Sequence, residues 1–107
     1  MGKAVVEWSK HALGDIDNIE KYIANENPRE AIHVLDEIQR AASILDDFPY
    51  SGKTGRVSGT RELVTKDVHY TIIYEVEGNH VMVLRVVRQS QQWPPAKEKA
   101  GLLDFEW

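Results

Sequence analysis

Apolar residues along this chain change their spacing about halfway. Lys3 to Trp8 alternates loosely around Ala4, Val5 and Val6, which predicts one short strand. Ser9 offers a helix-capping oxygen, and Ala12, Leu13, Ile16, Ile19 and Ile23 then recur at three or four residues, one apolar helical face. In "NENP", Asn27 is an N-cap, Pro28 suits the first helical position, and Glu30 stands where its carboxylate can close a capping box. Ala31, Val34, Leu35, Ile38, Ala41, Ala42 and Leu45 continue a second helix until Pro49 disfavours helical geometry at Phe48. Two antiparallel helices joined by a tight turn follow from this spacing.

Beyond Ser51 the period falls toward two. Arg61 to Thr65, His69 to Val76 and His80 to Val87 are rich in valine, isoleucine, threonine and tyrosine, and Glu77 to Asn79 is a hairpin signal. The expected order is β-α-α-β-β-β, an α+β domain whose twisted antiparallel sheet is backed by the αα-hairpin. Strict alternation places Tyr70, Ile72, Tyr74 and Val76 on one sheet face. It likewise groups Val81, Val83, Arg85 and Val87 against Met82, Leu84, Val86 and Arg88. Both faces are rich in apolar residues, so something besides the helices must shield part of the second. The domain is expected over 1–95, with 96–107 a short terminal helix or a tail.

With 107 residues there is room for one domain, and a 42% hydrophobic, 28% charged composition is that of a folded globule. The absence of cysteine excludes disulfides, thiolate zinc sites and a cysteine nucleophile. His11, His33, His69 and His80 lack ligand-like spacing, so no metal is expected, and no cofactor motif occurs. "MGKAVVEWSK" lacks a signal-peptide core and no apolar run reaches membrane-spanning length, which favours a cytoplasmic protein away from membranes.

The net charge of -4 is unevenly distributed: residues 9–48 carry nine Asp/Glu against four Lys/Arg, residues 53–88 six Lys/Arg against four Asp/Glu. The basic part begins in "SGKTGRVSGTREL", with three glycines and three cations in one short segment. Lys53, Arg56, Arg61, Lys66, Arg85 and Arg88 are the expected target-binding or nucleic-acid-binding residues, forming one cationic surface opposite acidic helices. The glycines suit positive φ in a long loop or a phosphate nest. Arg61 and Glu62 suit cross-strand ion pairs, and Arg85, mid-strand among valines, needs a carboxylate such as Glu75 or Glu62, or lines a functional face. Trp93 suits a lid over the end of the sheet.

The segment "LDDFPYSGKTGRVSGTREL", followed by "YTIIYEV", "VMVLRVV" and "QQWP", resembles the RelE/ParE superfamily of bacterial type II toxins, particularly its ParE-like plasmid-stabilisation branch. Relatives commonly read G-R-x-G-R-V-x-G-T-R-E-L and L-H-x-x-R-Q-W-P. Gly52, Gly55, Arg56, Val57, Gly59, Thr60, Arg61, Glu62, Leu63, Gln92, Trp93 and Pro94 match. The resemblance implies a toxin that inhibits growth until a cognate antitoxin neutralises it, in a complex such as a heterotetramer that meets operator DNA only through the antitoxin. It implies either DNA gyrase inhibited by binding or ribosome-bound mRNA cut by a metal-independent endoribonuclease, an mRNA interferase; a non-toxic homologue that keeps only antitoxin binding is a third possibility. Arg61, Arg85, Arg88 and His69 are the catalytic candidates for the nuclease. Arg88 stands where many relatives carry histidine, Gln91 where they carry arginine, and Thr71 where nuclease relatives tend to carry arginine. Since arginine stays protonated and is a poor general base, these departures weigh against the nuclease.

Overall fold

A computed structural model describes residues 3–95, so the expected tail, 96–107, lies outside the described residues. The chain forms β1 (Val5–Trp8), α1 (Lys10–Ala24), α2 (Pro28–Asp47), β2 (Lys53–Thr54), β3 (Arg61–Val64), β4 (Tyr70–Glu77) and β5 (His80–Arg88). The α+β architecture is the expected one, with the two-residue β2 added. Both helix starts follow their caps: Ser9 Oγ accepts from Ala12 N–H at 3.0 Å, and Asn27 Oδ1 from Glu30 N–H at 3.1 Å. Phe48 ends α2, its N–H donating to Ile44 O.

The five strands lie in the order β1-β5-β4-β3-β2. Pairing is antiparallel except at one edge, where β1 runs parallel to β5 with Val6 opposite Val81. The sheet is therefore mixed, which corrects the all-antiparallel expectation. A parallel neighbour needs a long crossover, and the whole helical hairpin separates β1 from the rest of the sheet.

Buried Ala12, Val34, Ile38, Ala42 and Leu45 from the hairpin pack on Tyr70, Ile72, Tyr74, Val81, Val83 and Val86. Removing a side chain such as Ile38 or Leu45 from water contributes about 1.5–3 kcal/mol. Leu13, expected in this face, is instead 57% exposed; α1 turns Ile16, Ile19 and Ile23 toward the core. The opposite face has a smaller cluster of Ile73, Val87 and Trp93, with Val57 packed against it. The segment before β3 and Trp93 thus supply the expected shield. Among the described residues no helix is long and apolar enough to cross a membrane.

Strict alternation fails in β5. Ile73 pairs with Arg85 while Tyr74 pairs with Val83, leaving Leu84 as an extra residue in a β-bulge. The bulge reverses the facing of everything after it. Val86 joins Val81 and Val83 beneath the helices, whereas Val87 joins Ile73 on the other face, as Arg85 does by its register. Without it, the Arg85 guanidinium would enter the apolar core under the hairpin.

Candidate functional site

The glycine and arginine segment folds around one buried carboxylate. Glu62, on β3, is 2% exposed and accepts Arg56 Nε at 3.2 Å, Arg56 Nη2 at 3.0 Å and the Arg56 backbone N–H at 2.9 Å. Burial pushes the Glu62 carboxyl upward. The opposing effects of the Arg56 side-chain bonds, its backbone bond and charge, and the field of Lys53 prevail, holding it below the ordinary carboxylate range. Arg61 points to the other side, donating to Gly52 O at 2.6 and 3.1 Å and to Tyr50 O at 3.1 Å, its guanidinium 5.2 Å from the Tyr50 ring centre. Of the cross-strand ion pairs expected for these two residues, Glu62 finds its partner in Arg56 of the preceding loop, while Arg61, facing the opposite way on the strand, is held by carbonyls instead of a carboxylate.

The glycines serve close approach more than unusual backbone geometry. A Cβ on Gly52 would lie 2.7 Å from Tyr74 Oη, the oxygen that accepts the Gly52 N–H, and one on Gly55 would lie 2.9 Å from Thr60 O. Only Gly59 of the three has positive φ, at 84°. Thr60 and Val57 close this turn through their own hydrogen bonds, so the segment is a braced loop.

A second assembly forms where β1 stops short and leaves the C-terminal half of β5 with an open edge. Residues of the first helix and its cap supply the missing partners: Ser9 Oγ donates to Leu84 O at 2.9 Å, and Asp15 Oδ2 accepts the Val86 N–H at 2.8 Å. Asp15 also takes Arg85 in a fork, Nε at 2.8 Å and Nη2 at 3.1 Å. The partner of Arg85 is therefore Asp15, neither Glu75 nor Glu62. Its guanidinium lies 5.6 Å from the centre of the Trp93 ring, a contact that adds to the fork.

Beside this fork opens a cleft of 340 Å³ lined by Asp15, Asn18, Ile19 and Tyr22 of α1, Tyr70, Arg85, Val86 and Arg88 of the sheet, and Gln91. Arg88 faces it at the end of β5, its guanidinium 5.9 Å from the ring centre of Tyr22. Tyr22 is 71% exposed and Tyr70 6% exposed. Burial raises the Tyr70 phenol above its ordinary pKa, against a lowering by Arg88 and with a further push from Tyr22. Gln91 Oε1 accepts the Arg88 backbone N–H at 3.3 Å.

Of the four arginines expected on one cationic surface, two already hold carboxylates. Arg56 is joined to Glu62 and Arg85 to Asp15, and Arg61 is held by carbonyls opposite Tyr74 in the register while Arg88 stands opposite Tyr70. Lys53 and Lys66 are exposed, on β2 and in the β3–β4 turn. His69 is not a strand residue: it is exposed before β4 with φ of 62°, and its carbonyl accepts the Gln89 N–H. Tyr22 and Asn18 were not marked by the sequence. The usable signal was Asp15, Asn18 and Tyr22 at i, i+3 and i+7, a polar stripe beside the apolar one. Among the described residues no group of three or more His, Asp or Glu side chains could hold a metal ion.

Comparison with known proteins places these features in a family. The family model for the ParE toxin of the type II toxin–antitoxin system parDE matches residues 6–93. Y4kP of Sinorhizobium fredii, a protein named as a candidate toxin, is 37% identical over 94 residues, 88% of this chain and 97% of that protein. The fold is similar to a chain of the chromosomal ParDE system of P. aeruginosa, with a TM-score of 0.74 and 21% identity over 80% of this chain and 96% of the other. A chain of the RelBE2 toxin–antitoxin complex from Mycobacterium tuberculosis gives 0.57 and 22% over 85% and 97%.

Proposed function

The chain belongs to the ParE toxin family of type II toxin–antitoxin systems, and from that premise we propose that it arrests growth by binding and blocking DNA gyrase, and that a cognate antitoxin neutralises it. One observation carries the preference for binding over RNA cleavage. Both oxygens of Asp15, the carboxylate lining the cleft, are already engaged by Arg85 and the Val86 N–H. Metal-free RNA cleavage requires a group to take the ribose proton. Arginine is a poor base, and the buried Tyr70 phenol has its pKa moved further above neutrality. His69, the remaining candidate, is exposed before β4 and is not among the residues lining the cleft.

An antitoxin partner is supported by the two similar folds, which come from a toxin–antitoxin system and a toxin–antitoxin complex. A groove of 410 Å³ between the helices, lined by Trp8, Leu13, Ile16, Leu35 and Ile38, offers apolar surface suited to an amphipathic segment.

The test is a pulse of expression without antitoxin, combined with a gyrase assay on purified protein. Loss of DNA supercoiling activity and an SOS response with intact messages are expected. Rapid appearance of cut messages with normal supercoiling would overturn the reading in favour of the nuclease. Unaffected growth would favour a non-toxic homologue.

A further inference from the structure

The four strand and loop arginines differ in what their guanidinium groups already hold. Arg56 and Arg85 carry bidentate carboxylates, and Arg61 is spread over two carbonyl oxygens. The exposed guanidinium of Arg88 has neither a carboxylate nor a carbonyl among the described residues; its recorded contact is the Tyr22 ring. Around it the cleft is richer in donors than in free acceptors. Both Asp15 oxygens are engaged, Gln91 commits its oxygen to the Arg88 N–H and retains its amide hydrogens, and Asn18 and Tyr70 add an amide and a phenol. Counting Arg85 and Arg88 against Asp15, the cleft walls carry one surplus positive charge.

We infer that this cleft is the docking pocket for an acidic segment of a partner polypeptide, a carboxylate seating on Arg88 with an adjacent aromatic side chain against the exposed Tyr22 ring. This rests on the reading that the toxin acts by binding protein, and it names the chemistry of what is bound. An arginine fork matches a carboxylate in charge and geometry, and the half-apolar wall of Ile19, Tyr22 and Val86 suits a hydrophobic neighbour. The charge distribution favours a peptide over a nucleic acid. Polyanion affinity grows with the number of phosphates neutralised, whereas the walls of this cleft carry one surplus cation. One carboxylate satisfies that surplus; the further phosphates of a chain would find no second uncompensated cation in the cleft.

The test titrates the isotope-labelled full chain with a short acetylated and amidated peptide containing a central Asp-Phe pair, with its Asn-Phe counterpart, and with a short single-stranded RNA. Expected are shifts of the Arg88 side-chain and Tyr22 ring signals with the Asp-Phe peptide, and affinity at least about tenfold weaker for the Asn-Phe peptide and for Arg88→Gln. Tyr22→Ala should also weaken binding, with the unfolding midpoint of both variants unchanged. Equal affinity of Arg88→Gln for the acidic peptide, or RNA shifting the same signals more tightly, would overturn the inference. Gyrase inhibition by the wild-type chain, measured alongside, reports separately on the proposed function.

Discussion

The segment from Ser51 to Leu63 and the cleft at the end of β5 both contain arginines beside tyrosines, yet the two regions use them oppositely. In the first, Arg56 and Arg61 are consumed by the fold: one neutralises buried Glu62, the other ties Tyr50 and Gly52 to β3. In the second, Asp15 takes the Val86 N–H of the β5 edge together with the Arg85 fork, and Arg88 remains available over Tyr22. Local concentration of cations and glycines therefore marked a structural brace, while the position with binding capacity stood alone at a strand end. An arginine's partners, more than its sequence company, decide what it can do.

Substitutions should separate the regions by their effect on stability. The largest loss is expected for Arg56→Ala, which leaves the Glu62 carboxylate with only a backbone N–H; a destabilisation of about 3 kcal/mol should appear in urea unfolding. Gly55→Ala forces a Cβ against Thr60 and should cost about 2 kcal/mol by the same measurement. Asp15→Ala removes both the Arg85 fork and the Val86 acceptor, with an expected loss of about 1.5 kcal/mol. Arg88→Gln, in the cleft, should stay within about 0.5 kcal/mol of the parent, because the exposed side chain gives up only its contact with the Tyr22 ring.

Acid should sharpen the same contrast. The folded pKa of Glu62 lies below its ordinary value of 4.5, so its contribution to stability is complete above that value and is lost as pH falls through the lower folded value. Unfolding measured from pH 6 downward should show that loss in the parent, and a shallower one in Glu62→Gln. An identical acid limb in the two proteins would remove Glu62 from the brace.

The helical hairpin was legible because its caps and spacing are local: Ser9, Asn27 and Pro28 act within a few residues of themselves. The strands were legible too, and Trp93 is the lid its position suggested. What the one-dimensional pattern lacked was the bulge at Leu84, which arises from the match of β5 to β4 and cannot be seen in an unbroken run of apolar residues. From that single offset came the misplacement of Arg85 and Val87. Pairing across 70 residues, Asp15 with Arg85, was equally invisible, since it depends on α1 crossing an edge that β1 leaves uncovered. The cleft inherits both features and so was only partly foreseen, through Arg85 and Arg88 but not Tyr22 or Asn18.

The most direct measurement compares Arg88→Gln and Arg56→Ala in the gyrase supercoiling assay at equal concentrations of folded protein. The predicted result is a loss of inhibition of about tenfold or more for Arg88→Gln at unchanged stability, and parental potency per folded molecule for the unstable Arg56→Ala. Full potency in Arg88→Gln, or an inactive Arg56→Ala that is still folded, would contradict the division between brace and binding cleft.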